Sequence, residues 1–217
     1  MSKSVYSVVL SDEVVAAIDR LAAGEGISRS RMIDRILARH AGCETAAGRA
    51  SDILGCVERM AANAAGFRLL AGASGELLQL RSAVRYRYNP TVRYTVELYR
   101  HPTDALGELR VTLRSQSRGL LEEMDRFFRL WTRLEERSFA DGSFLSYDLA
   151  EGRFSRRLRC AGCTSGEEAG SAIAGYIRLM DAVMQAYFGA LPAGQRAAAT
   201  AAAERFAGAL TDEVAGV

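Results

Sequence analysis

Lysine is almost missing from these 217 residues: Lys3 stands alone and every other basic side chain is arginine. Charge of one sign is also lacking. Lys and Arg number 28 against 26 Asp and Glu, a net charge of +2, so bulk attraction to polyanions is excluded and any nucleic-acid site must come from local placement. No apolar run approaches the ~20 residues of a membrane span, and "MSKSVYSVVL" carries no signal-peptide pattern, so no membrane partner and a cytoplasmic location are expected. Four cysteines are too few for a disulfide scaffold and fit a reducing compartment. With only His40 and His101, no phosphate-cradling glycine loop and no GxSxG elbow, the chain offers no catalytic set. Neither an enzyme nor a cofactor is expected. What is present is apolar material: 49% of the chain, enough for one large domain or two small ones.

Residues 4 to 10 alternate, with Tyr6, Val8 and Leu10 on one face and Val5, Ser7 and Val9 on the other, which predicts a strand. Ser11 then caps a helix with Asp12 and Glu13 in its first turn and an apolar stripe of Val14, Ile18 and Leu21. Gly24 and Gly26 close it. A second helix begins at Ser28 with Met32, Ile33, Ile36 and Leu37 as its stripe. Arg29 and Arg31 sit in its first turn, where unpaired amides already concentrate positive charge, so this terminus is suited to an anion such as phosphate. One strand and two short helices cannot enclose a core alone; a second copy would supply the missing strand and the missing cover.

The strand, the segment "LSDEVVAAIDRLAAGEGISRSRMIDRIL" and their spacing resemble the ribbon-helix-helix family of CopG, Arc and MetJ type over residues 3 to 41. The resemblance implies a bacterial homodimer whose two strands pair antiparallel as a ribbon in the DNA major groove, while the start of the second helix holds a backbone phosphate. Carried over by position, the base-facing residues are Val5, Ser7 and Val9, with Lys3 beside them, and the phosphate-binding group is Ser28, Arg29, Ser30 and Arg31. The family usually places polar or basic residues on the ribbon face. Here two of the three are valine, which touches a thymine methyl but donates no hydrogen bond, so base reading would rest on Ser7 and Lys3.

Residues 43 to 52 are small and polar and are expected to link this module, residues 1 to 42, to a second domain at 53 to 217. Residues 53 to 82 are expected to be helical. Period two then predicts strands at Val84 to Tyr88, Val92 to Leu98 and Leu109 to Leu113, followed by a helix from about Gly119 to Arg137. Its inward stripe is Leu120, Met124, Phe127, Trp131 and Leu134, leaving Phe128 and Leu130 either as surplus apolar surface for self-association or buried within one chain if the helix is sandwiched between two layers. A hairpin at 144 to 159, turning at "AEGR", and a helix from about Gly166 to Ala190 repeat the order. The C-terminal alanine-rich segment is expected to be a last helix that either packs closely, its apolar content being mostly methyls, or frays. The fold class is therefore α+β, a ribbon-helix-helix module followed by a domain with two hairpin-helix units.

Two further constellations stand out. Arg85, Arg87, Arg93, Arg110 and Arg114, extended by Arg153, Arg157 and Arg159, would share one sheet face; an ordinary solvated face, or arginines paired to Glu97 and to acids of neighbouring helices, is the preferred reading over phosphate tracking. His40, Cys43, Cys160 and Cys163 have ligand chemistry for zinc, against the plainer reading of small residues in tight turns, so no metal is assigned. Taken together, the residues predict a DNA-binding transcriptional regulator acting as a homodimer or higher homo-oligomer, with an effector or protein partner for residues 53 to 217. The alternative is a protein-interaction module, an antitoxin or plasmid-transfer accessory protein, in which the N-terminal fold serves assembly.

Overall fold

The computed structural model describes residues 7–24, 27–42, 46–87, 89–100, 104–138, 145–159 and 163–209. The chain divides into two compact units between Gly48 and Arg49. Among the described residues the fold is mixed α and β, with six α-helices and a six-stranded sheet. The first unit holds α1 (Asp12–Gly24) and α2 (Arg29–His40).

The second unit starts on α3 (Ala46–Asn63), so residues 46 to 52 are helical rather than a linker. Strands β1 (Phe67–Ser74), β2 (Leu77–Ala83), β3 (Thr91–Leu98) and β4 (Gly107–Leu113) lead to α4 (Arg118–Ser138). Strands β5 (Tyr147–Ala150) and β6 (Arg153–Leu158) lead to α5 (Gly166–Ala190), and a short 3-10 turn at Leu191–Ala193 joins α5 to α6 (Gln195–Ala207). All pairings are antiparallel, in the order β1-β2-β3-β4-β6-β5.

Alternation decides which side of the sheet is covered. Leu78, Leu80, Val92, Tyr94, Val96, Leu109, Val111, Phe154 and Leu158 share the inner face and are buried with side chains of α3, α4, α5 and α6 in one core. The intervening residues form an opposite face that is mostly exposed or half-buried. Helix α5 is buried around most of its circumference, including the expected stripe Ile173, Ile177, Met180, Met184 and Tyr187. Ser165 caps its start by accepting from the Glu168 amide at 3.2 Å, as the Ser-x-x-Glu spacing predicts. The last helix packs its small residues, Ala198 and Ala202, against α5 and sets Phe206 edge-on to Trp131.

The structure corrects two further expectations and decides a third. Residues 67 to 83 are a hairpin, not helix: Gly75 takes a left-handed φ of 67° at its turn, a conformation that costs other residues more, and pairing with β3 holds Leu78 and Leu80 inward. Residues 84 to 87 lie beyond the end of β2 and are not strand, with Tyr88 outside the described residues. Of the two alternatives for Phe128 the sandwiched helix holds: Phe128 is buried and stacks on Phe154 at 5.6 Å, while Leu130 is half-buried, because α4 packs on the sheet on one side and on other helices on the other. Burying such a ring stabilises the fold by roughly 2–3 kcal/mol.

Candidate nucleic-acid interface

In the first unit α1 stops at Gly24, and the Ile27 amide reaches back to the Ala22 carbonyl at 3.0 Å. This turn brings Ile27 onto a small core of Ile18, Ala22 and Met32, with Ile33 at its edge. The rest of both predicted stripes stays outside: Val14, Leu21, Ile36 and Leu37 are exposed in the single chain. Two short helices meeting at one crossing have contact area for one or two residues each, so the remaining apolar positions find no cover within this unit.

Residues 7 to 10 have no ladder partner among the described residues, and Val9 is fully exposed, Val8 66% exposed. Ser7, Val8, Val9 and Leu10 are all exposed and form no strand among the described residues, so the expected strand is not seen there. Lys3 and Val5 fall outside the described residues.

At the start of α2, Ser28 occupies the capping position, its Oγ accepting the Arg31 amide at 3.3 Å. Arg29 donates from Nε and Nη2 to the two carboxylate oxygens of Asp19, both at 2.6 Å. This fork-to-fork bond holds the Asp19 carboxyl below its ordinary range and raises the already basic Arg29. The charge conflict expected at this terminus is thus partly met inside the chain, and Arg29 is committed to Asp19 rather than free for phosphate. Ser30 and the Arg31 side chain remain exposed. Together with the first amides of α2, which lack intrahelical acceptors, they form the anion-competent edge of the site. Sequence reasoning missed Asp19, ten residues before Arg29, because their contact depends on how the helices cross.

Comparison of the chain with protein-family models, curated proteins and solved structures returned no match.

The remaining ligand candidates lie only partly within the described residues. His40 is exposed at the end of α2, Cys43 and Cys160 lie outside the described residues, and Cys163, expected as a free thiol, is disulfide-bonded and so is no thiolate ligand. Among the described residues no three His, Cys, Asp or Glu side chains group around a metal position, and no helix is long and apolar enough to cross a membrane. The one free cysteine among them, Cys56, is buried and accepts from Arg59 Nη2 at 3.0 Å.

Proposed function

We propose that the chain is a homodimeric DNA-binding transcriptional regulator, with residues 1 to 42 acting as a ribbon-helix-helix module. The observation that carries this reading is the apolar surface the first unit leaves open: Val8, Val9 and Leu10 beside Val14, Leu21, Ile36 and Leu37, against a core of only three buried side chains. A second copy is the partner whose shape matches by construction. Pairing of residues 4 to 10 with the same segment of the other chain satisfies both strand edges and lays Val8 and Leu10 over the exposed helix positions. The opposite face then presents Ser7 and Val9 toward a major groove, while Ser30, Arg31 and the α2 amides take a flanking phosphate. Residues 49 to 217 serve effector or partner binding, or further self-association.

The competing reading, a protein-interaction module used in assembly, has one observation in its favour: Asp19 holds the arginine that the resemblance assigns to phosphate. DNA affinity separates the two. Selection of bound fragments from random duplexes should enrich a two-fold symmetric sequence, and no enrichment over input would leave the interaction reading. Val8→Asp should give monomer in sedimentation and abolish enrichment; a wild-type chain that sediments as a folded monomer at micromolar concentration would overturn the dimer.

A further inference from the structure

The uncovered face of the sheet carries a row of arginines that sequence order hides. In register across the strands, Arg68 of β1 stands opposite Arg81 of β2, Arg81 opposite Arg93 of β3, Arg93 opposite Thr112 of β4, and Thr112 opposite Arg153 of β6. Like charges placed directly opposite one another destabilise a sheet, and here two such contacts follow in succession. Carboxylates on this face are already engaged. Glu97 and Glu108 both lie on Arg110, at 3.9 and 3.0 Å, and Asp148 on Arg153 at 3.2 Å. Arg68, Arg81, Arg93, Arg114 and Arg157 have no ion-pair partner among the described residues. A recess of about 450 Å³ on this face is lined by Arg93, Arg110 and Arg114 with Gln79, Thr95 and Thr112, and also by Glu76 and Glu97, which pair with Arg100 and Arg110.

The earlier grouping changes accordingly. Arg85 and Arg87 lie beyond β2 and leave the face, Arg159 pairs with Asp104 after β6, and Arg68 and Arg81 join. Arg110 and Arg153 are paired and Arg68 and Arg93 are solvent-exposed, both within the preferred reading; what that reading did not contain is the succession of like charges Arg68–Arg81–Arg93.

From this placement we infer that the open sheet face is a second contact for the sugar-phosphate backbone of duplex DNA. The inference rests on the DNA-binding reading of the first unit. Span selects the occupant: four interstrand steps of about 4.8 Å give a row of about 19 Å, the length of about six phosphates along one strand and longer than a single nucleotide. Guanidinium forks, threonine hydroxyls and a glutamine amide are phosphate-binding groups. The buried side of the sheet takes Tyr94, so no strand tyrosine of β3 is offered for stacking on bases, and the contact is independent of sequence.

The experiment uses the full chain and a random-sequence duplex of about 40 base pairs, titrated between about 50 and 200 mM salt. Replacing Arg68, Arg81 and Arg93 by Gln together removes three phosphate contacts, so the slope of log affinity against log salt should become shallower by about 2.7. Over that fourfold salt range the salt-induced loss of affinity should shrink about 40-fold. The triple Lys variant, which keeps the charge but not the fork, should retain most of the slope. Thermal unfolding of the Gln variant should be unchanged or shifted upward, since like charges have been removed. Slope and affinity equal to wild type in a folded Gln variant would overturn the inference. Ser30→Ala with Arg31→Ala in the first unit supplies the contrast: if it alone removes binding, the proposed regulator stands and this face is not a DNA contact. If only the sheet variant removes binding, the face is a DNA contact and the first unit's assignment falls.

Discussion

Replacing Arg156 by Leu puts a specific load on the core of the second unit. Arg156 projects from the inner face of β6 and is 2% exposed; Glu135 of α4 is fully buried, with its Oε1 3.2 Å from Arg156 Nε. The guanidinium also stacks 4.6 Å from the Tyr176 ring, whose hydroxyl accepts from Trp131 Nε1 at 2.8 Å. At an effective dielectric of about 20, opposite charges at that separation attract by about 5 kcal/mol, most of which offsets the desolvation of the two groups. Without the arginine the carboxylate has no cation, and its cheapest response is to take up a proton. For a carboxyl of ordinary pKa 4.5, protonation costs about 3 kcal/mol at pH 7 and under about 1 kcal/mol at pH 5. Adding roughly 1 kcal/mol for the lost cation-π contact, the variant should be less stable than wild type by about 4 kcal/mol at pH 7 and by about 1–2 kcal/mol at pH 5.

The sign follows from burial. Burial is the largest influence on Glu135 and raises its pKa, while Arg156 opposes the rise. Deleting Arg156 therefore raises it further, and a carboxyl raised in the folded state contributes stability below its unfolded pKa that is lost as pH rises through the folded one. Urea unfolding at the two pH values measures the difference. Glu135→Gln in the Arg156→Leu background should remove the extra pH dependence, and replacing the pair by Met and Leu together should be neutral or stabilising. A deficit that is the same at pH 5 and pH 7 would show that Glu135 does not depend on Arg156 for its charge, and the reasoning would fail.

Three other outcomes follow from the structure. Gly170 of α5 is where α3 approaches closest, since an added Cβ would lie 2.8 Å from Cys56 Cβ and 2.9 Å from the Ile53 backbone; Gly170→Ala should cost about 1–3 kcal/mol in urea unfolding, and an unchanged midpoint would deny that contact. Asp181 accepts from the Tyr94 hydroxyl at 2.9 Å, and burial raises its pKa above the ordinary 3.8. Its contribution is thus present below pH 3.8 and lost as pH climbs through the folded value, so Asp181→Asn should flatten that part of the pH–stability curve, and an unaltered slope would contradict it. Asp19→Asn releases Arg29 in the first unit, so duplex affinity should rise and the salt slope steepen by about 0.9; weaker binding would mean that Asp19 orients Arg29 for phosphate instead of withholding it.

Sequence pattern reached the second unit unevenly, and the reason lies in what each signal measures. Helices α4 and α5 and strands β3, β4 and β6 were legible because each carries its own period and cap, as at Ser165 with Glu168. The hairpin at 67 to 83 was not, because Leu, Ala, Gln and Glu favour helix and its strand character comes from β3, a partner outside the segment. Arg68 and Arg81 were lost for the same reason: a charge row across strands exists only once register is known. In the first unit the two helices were legible, whereas residues 7 to 10 form no strand among the described residues, and Asp19, which holds Arg29, was not foreseen. The Glu135–Arg156 pair is different, since both members announce themselves. In α4 the buried positions run Met124, Phe127, Phe128, Trp131, Thr132 and then Glu135, and in β6 the inner-face positions are Phe154, Arg156 and Leu158. An acid on one apolar stripe and a base on another, each at a position whose neighbours are all core, cannot both be buried unless they meet. Opposite charges that interrupt two hydrophobic patterns therefore predict a tertiary contact between α4 and β6 before any pairing is known, and this contact lies at the centre of the fold.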